Sequence, residues 1–456
     1  VALIAWSIFA VGGVYVWAGA PLVAGGLLIA VGARPRVARS TETRLLDVAL
    51  LSGLLAVAIQ LVPLPDFLRT WISPHGDSVR SLLLLSPDAV PSFQPFSLAP
   101  WSTAYALALV ATAMCVFWTA RQVSADGATR FLVRTIAFVG LVAALAAIVQ
   151  RALSPNLIYG LWVPQDADAR PFGPFVNRNH FAAWVVMAIP LVAGYVAAAL
   201  HAHRPEQRFA GRIASAMQSL GSAALWVAVA GAVMTLALVT SASRSGLIAF
   251  AVSLVCGAWI ARTRLSRRGW IVALAVVALL ALFVIAYADM TPLIWRIEET
   301  LLVGTGGRPE IWQETLRICR DFWTTGTGLG TFQTAMAVYQ QSDRTIFFNQ
   351  AHNQYLHLLA EGGLLLIIPA AATIVAFVRL FAIRLARDTS SSAPIRIGAA
   401  VALITMAVQG IWETPLRMPA NGILFAVAAA IAVHRPLERI DPLNADGQPA
   451  ETRKGV

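Results

Sequence analysis

Lysine is almost missing from this 456-residue chain. Lys454 is its one example, so the net charge of +11 rests on arginine. Charge of either sign is scarce, at 12% of residues against about 25% in ordinary soluble domains. A conventional soluble domain is therefore excluded. No basic run sits in a soluble region, which argues against nucleic-acid binding. Cysteine is limited to Cys115, Cys256 and Cys319. The first two lie in hydrophobic runs and the third has no evident partner, so no disulfide framework or metal site follows. Also lacking are the alternating hydrophobicity of barrel strands, an internal repeat and a second soluble domain.

What is present is long apolar sequence. Hydrophobic residues make up 58% of the chain and mean hydropathy is +0.70. Several runs approach the ~20 uncharged residues needed to cross ~30 Å of hydrocarbon. Lipid accepts helices or closed barrels, so the chain reads as an all-α integral membrane protein. Candidate spans are 1–14, 16–33, 45–62, 101–120, 131–150, 179–200, 222–240, 245–261, 269–288, 363–383, 396–413 and 420–434. That is roughly twelve by length and apolarity. The first two are interrupted by Gly12-Gly13 and Pro21. The first run lacks a basic n-region and a cleavage site and reads as a transmembrane helix, clipped or whole, not a signal peptide.

Arginine sets the orientation. Connections 34–44, 121–134, 201–221, 262–268 and 384–396 are arginine-rich and, with twelve spans, share one side with both termini. That side is expected to be cytoplasmic. Connections 63–100, 151–178, 241–244, 289–362 and 414–419 then lie on the opposite side. The expected organisation is a membrane domain over 1–434, with a large loop over 289–362 on that opposite side carrying short amphipathic helices. Residues 435–456 are expected to form a disordered cytoplasmic tail.

Three polar clusters fall on the expected non-cytoplasmic side. The first runs from Arg170 through Phe-Gly-Pro-Phe to Asn177-Arg178-Asn179-His180. It suits a capped helix start, or a donor-rich wall for an anion or sugar hydroxyls. The second is Ser241-Ala242-Ser243-Arg244-Ser245-Gly246, a short hairpin whose arginine breaks the orientation bias. Arg244 reads as an interfacial anchor or as a fixed cation for a lipid-linked phosphate.

The third cluster runs from Gly307 to Gly363. Arg308 precedes Pro309, a residue suited to a first helical turn. Ile311, Thr315, Ile318 and Phe322 then recur at helical spacing, predicting an amphipathic helix over 309–323. Glu314/Arg317 and Arg317/Asp321 are expected to be surface pairs. Gly326-Thr327-Gly328-Leu329-Gly330 reads as a hinge or turn, since it lacks the strand and Lys-Ser/Thr of a phosphate loop. His352 opens a short helix bearing Leu356 and Leu359. It is a structural histidine or a base titrating near neutrality. His357 is expected to pair with Glu361.

These fragments, in this order between spans, resemble the superfamily of O-antigen ligases and polymerases, bacterial envelope glycosyltransferases. The resemblance rests on Ser243-Arg244-Ser245-Gly246, on Gly307-Arg308 with Trp312, and on Gly326–Gly330. It rests also on His352-Asn353-Gln354-Tyr355-Leu356 with Glu361-Gly362-Gly363, and on the run ending Asn177-Arg178-Asn179-His180. It implies about a dozen helices in a GT-C-like fold, that of membrane glycosyltransferases using polyprenyl phosphates. The implied reaction moves a glycan from undecaprenyl diphosphate to a sugar hydroxyl at the periplasmic face of the bacterial inner membrane. The acceptor is lipid A-core for a ligase, or another lipid-linked glycan for an O-antigen or exopolysaccharide polymerase.

By the same resemblance Arg244 and Arg308 clamp the donor diphosphate and His352 is the base, with inversion at the anomeric carbon. Arg170, Asn177, Arg178, Asn179, His180, Trp312, Asn353 and Tyr355 are expected to bind substrate, although anchoring serves Trp312 and Tyr355 equally well. No cofactor is expected. Metal-independent transfer is favoured because the three clusters lack an Asp-x-Asp pair, while Asp166 and Asp168 nearby keep a metal open. The rival class is a flippase for lipid-linked sugars, which would line mid-span positions with polar groups. A structural scaffold would leave three polar clusters on one side unexplained.

Overall fold

The computed structural model describes residues 1–83, 92–164, 169–202, 222–260, 262, 308–342, 344 and 347–435. Helix dominates them. α1 is Ala2–Phe9, α2 Val16–Ala33, α3 Thr41–Ile59, α4 Asp66–Ile72, α5 Gly76–Leu83, α6 Pro100–Val123 and α7 Thr129–Leu153. α8 is Arg178–Ala202, α9 Ser222–Thr240, α10 Arg244–Ile260, α11 Arg308–Asp321 and α12 Phe332–Tyr339. α13 is Gln354–Arg387, α14 Ala393–Gln409 and α15 Pro419–Val433. The one described sheet is a two-residue pairing of β1, Leu64–Pro65, with β2, Phe93–Gln94.

Among the described residues, five segments are long and apolar enough to cross a membrane: α2, the α6–α7 run, α8, α9 and α13. α10, α14 and α15 are apolar but shorter. The first expected span is not one helix. α1 has eight residues, about 12 Å at 1.5 Å per residue, and Gly12 at φ 67 ends it in a tight turn. The span expected over 269–288, the acidic pair Asp166 and Asp168, most of connections 201–221 and 262–268, and the tail from 436 lie outside the described residues.

α8 is the centre of the bundle. It packs against α7, α9, α10, α14 and α15, and Phe181 through Ala188 are fully buried. Its closest neighbour is α14, and small residues allow the approach. A Cβ at Gly398 would lie 2.2 Å from the carbonyl oxygen of Pro190, and one at Gly194 would lie 2.6 Å from that of Pro394.

The described basic connections meet at one end. Arg121 grips both carboxylate oxygens of Asp47, at 2.7 and 2.9 Å. Arg387 pairs with Glu42 at 3.1 Å, and Arg130 donates to Ser391. Fully buried Arg396 donates to Asp388 and to the carbonyls of Ala432 and His434. These bonds gather the ends of α3, α6, α7, α13, α14 and α15.

A small polar layer caps the opposite end. α5, α11, α12 and the first turns of α13 share a core of Val79, Ile311, Ile318, Phe322, Phe332, Met336 and Ala360. The stripe expected on α11 is the face it buries. Glu314 also lies on that face, so the expected surface pairs with Arg317 do not form. Its carboxylate is buried and accepts from the amides of Gln341 and Ser342, while Arg317 donates to Gln341 and Asp321 accepts from Tyr339. The cysteines are unpaired, and burial pushes the Cys319 thiol up to about 12.

Gly326, Gly328 and Gly330 all have positive φ. The amides of Thr327 and Gly328 donate to the carbonyls of Ala360 and Glu361, and that of Leu329 to Gln60. The glycine segment is therefore a clasp whose donors are used within the protein. It grips α13 where Gly363, at φ 53 and ψ −160, breaks that helix into a short leading piece and a long span.

Candidate active site

The site grows from helix starts at the capped end. α8 begins at Arg178, α10 at Arg244 and α11 at Arg308. α13 begins after Asn353, whose side chain accepts from the amides of Tyr355 and Leu356. His352, one residue before that cap, has φ 48, a left-handed conformation uncommon outside glycine. The cap and this turn together aim the imidazole back across the end of the bundle, to the connection between α14 and α15.

There it meets Glu413, a residue the sequence reading did not single out. The Glu413 side chain is 1% exposed. Its Oε1 accepts from the Arg308 guanidinium at 2.7 Å and from Asn179 Nδ2 at 2.7 Å. Its Oε2 lies 3.3 Å from His352 Nδ1. Burial pushes this carboxyl up, but the hydrogen bond to His352 and the charges of His352 and Arg308 outweigh it, holding Glu413 below the ordinary carboxylate range. A buried anion is thus compensated from three sides.

The two cations expected at the site differ. Arg308 is 43% exposed on its side chain. A guanidinium carries five donors, so the bond to Glu413 leaves others directed outward. Arg244 is exposed, and among the described residues nothing pairs with its guanidinium. It is joined to the centre through its neighbour: Ser243 Oγ donates to Asn179 Oδ1 at 2.8 Å, and Asn179 reaches Glu413. His352 is 27% exposed. One exposed cation and one accessible imidazole therefore meet at a buried carboxylate, and the residue before Arg244 joins them through Asn179.

The other expected site residues are more peripheral. Asn177 accepts from the amide of Asn179 and its carbonyl accepts from His180 and Phe181, a helix cap. The Arg178 amide closes the loop on the Arg170 carbonyl, and Arg170 is exposed. His180 is buried, its carbonyl accepting from Asn421. Trp312 donates to the Ala351 carbonyl at 3.0 Å, bracing the His352 turn. Tyr355 donates to the Ala407 carbonyl at 2.7 Å. His357 pairs with Glu361 at 3.4 Å, as expected, and its Nδ1 accepts from the Ala351 amide at 3.3 Å.

A family model described as O-antigen ligase matches residues 229–371. That stretch contains Arg244, Arg308, Trp312, His352, Asn353 and Tyr355; the 170–180 loop and Glu413 lie outside it. Among curated proteins, none matches the chain. The family match, whose limits enclose both exposed cations and the imidazole, supports membership of the O-antigen ligase superfamily over this stretch.

Proposed function

We propose that the protein transfers a glycan from a polyprenyl-diphosphate donor, undecaprenyl diphosphate in bacteria, to a sugar hydroxyl at the periplasmic face of the inner membrane. The observation that carries this reading is the single buried carboxylate of Glu413 bonded at once to Arg308, Asn179 and His352. Glu413 faces Nδ1 of His352. A proton on Nδ1 leaves the lone pair on Nε2, the atom that takes the acceptor proton. This is the orienting role a carboxylate plays toward a catalytic histidine.

The step balances without another reactant. The acceptor oxygen forms a bond to the anomeric carbon as its proton passes to His352 Nε2. The bond from that carbon to the phosphate oxygen breaks, and its electron pair leaves with the diphosphate. Arg244 and the outward donors of Arg308 meet the growing negative charge, where charge-assisted bonds are strongest. Attack from the opposite face inverts the anomeric centre. Twelve spans, a GT-C-like arrangement and a cytoplasmic basic end belong to the same reading. So does a site kept within the membrane domain 1–434, its loop 289–362 facing the periplasm.

A ligase acting on lipid A-core is the first reading and a polymerase the second. The gathering of polar groups at one end of the helices favours surface chemistry over a flippase. The test uses purified His352→Ala and Arg308→Ala with a lipid-linked glycan in detergent. Loss of the base lowers transfer by ~10²–10⁴-fold, and wild-type rates from His352→Ala would remove the base assignment. In a deletion strain, unattached lipid-linked polymer marks a ligase and single repeat units mark a polymerase.

A further inference from the structure

His357 is a buried polar side chain that the transfer step leaves unused. It lies in the first turns of α13, with its side chain 6% exposed. Its ring stacks on Phe332 of α12 at a centroid separation of 4.6 Å. Both ring nitrogens are engaged. Nε2 faces Glu361 Oε1 at 3.4 Å, and Nδ1 accepts from the Ala351 amide at 3.3 Å. An accepting Nδ1 carries no proton, so the ring proton sits on Nε2, toward the carboxylate. Glu361 is in turn tied to the start of α12, where it accepts from the Phe332 amide at 2.8 Å.

Ala351 is the residue before His352 and is fully buried. Its peptide groups are gripped from two sides. His357 takes the amide, and Trp312 donates to the carbonyl at 3.0 Å. The next residue, His352, is held at φ 48. A left-handed conformation outside glycine persists only where its surroundings over-determine it. The Asn353 cap constrains the turn after His352, and the Ala351 peptide constrains it before. Without the Nδ1 acceptor, the buried Ala351 amide has no partner among the described residues. A buried donor left unpaired drives the backbone to rotate toward another acceptor. The His352 imidazole would turn with it, away from Glu413 at 3.3 Å.

We infer that His357 is a positioning residue: by accepting from the Ala351 amide it holds the turn that aims His352 at Glu413. The inference rests on the proposed role of His352 as base. Pairing with Glu361 uses one ring nitrogen and positioning uses the other, so the two roles are separable.

Two substitutions separate them. In His357→Asn the side-chain oxygen stands in the place of Nδ1, which keeps the acceptor for Ala351 and loses the donor to Glu361. In His357→Gln the side-chain amide reaches the place of Nε2, which keeps the donor and loses the acceptor. Both remove the ring from Phe332, so the packing change is shared. The detergent-purified full chain is followed by hydrogen–deuterium exchange over 350–353 and by steady-state transfer of a lipid-linked glycan. His357→Asn is expected to keep wild-type protection and kcat. His357→Gln is expected to exchange faster over 350–353 and to lose about 10²-fold in kcat at unchanged KM, the effect of a ~1 Å misplacement. Equal behaviour of the two variants, or loss in His357→Asn alone, would overturn the inference. So would faster exchange in His357→Gln at wild-type kcat. The exchange contrast needs no turnover. If it is present while the wild type transfers no glycan, the transfer reading has failed and the hold of His357 on the turn stands.

Discussion

At the scale of single residues, the site turns on Glu413. Glu413→Gln keeps the shape but removes the charge that Arg308 and His352 face, and the transfer rate is expected to fall by ~10²-fold or more as base orientation is lost. The variant also has a pH signature. Glu413 is held below its ordinary 4.5 in the folded protein. Its stabilising contribution is therefore complete above that value and is lost as pH falls through the lowered one. Thermal melts in detergent should show wild type above Glu413→Gln near neutrality, with the gap closing below about pH 4.5. A gap independent of pH would assign the residue to packing.

Arg308 and His352 were legible because each stands where a polar interval meets a helix start. Glu413 was not. Its partners are 61, 105 and 234 residues away, and no local spacing announces a contact of that range. Glu314 is a different failure. It lies three residues from Ile311 and four from Ile318, inside the apolar stripe, so its burial was readable from helix geometry. Its three-residue spacing to Arg317 had assigned it to a surface pair instead.

At the scale of elements, the joint in α13 is the most specific device. Gly363 combines φ 53 and ψ −160, a region open to glycine almost alone. A Cβ there would stand 2.5 Å from the Gly326 amide nitrogen. Gly363→Ala is expected to cost about 2–3 kcal/mol or more, read as a fall in melting temperature. Gly53 in α3 has open space around it, and Gly53→Ala should stabilise by roughly 0.5–1 kcal/mol. The expected boundary at 363 coincides with this joint because the change from amphipathic to uniformly apolar sequence falls there. The Gly12-Gly13 interruption of the first expected span was visible in the sequence, but the end of α1 at Phe9 was not, because the apolar run continues beyond it.

At the scale of the whole molecule, the bundle depends on the close contact of α8 with α14. Gly398→Val would drive a side chain into the Pro190 carbonyl, 2.2 Å from the Cβ position. It is expected to abolish a monodisperse product in size-exclusion chromatography, whereas Gly53→Ala should behave as wild type. The grouping of arginine-rich connections was visible in the sequence, and the described ones do converge on one end. Their pairing was not visible, because Asp47 and Asp388 are isolated carboxylates whose partners come from other helices.

The distances along the chain from Glu413 to its partners have a consequence for biosynthesis. Asn179, Arg308 and His352 leave the ribosome first, and each waits for the turn between α14 and α15. An incomplete chain ending before that turn carries both exposed arginines and the imidazole but lacks the anion that holds them in register. On the proposed function, competence is expected to arrive only with that turn, so prematurely terminated products should be inert in a transfer assay.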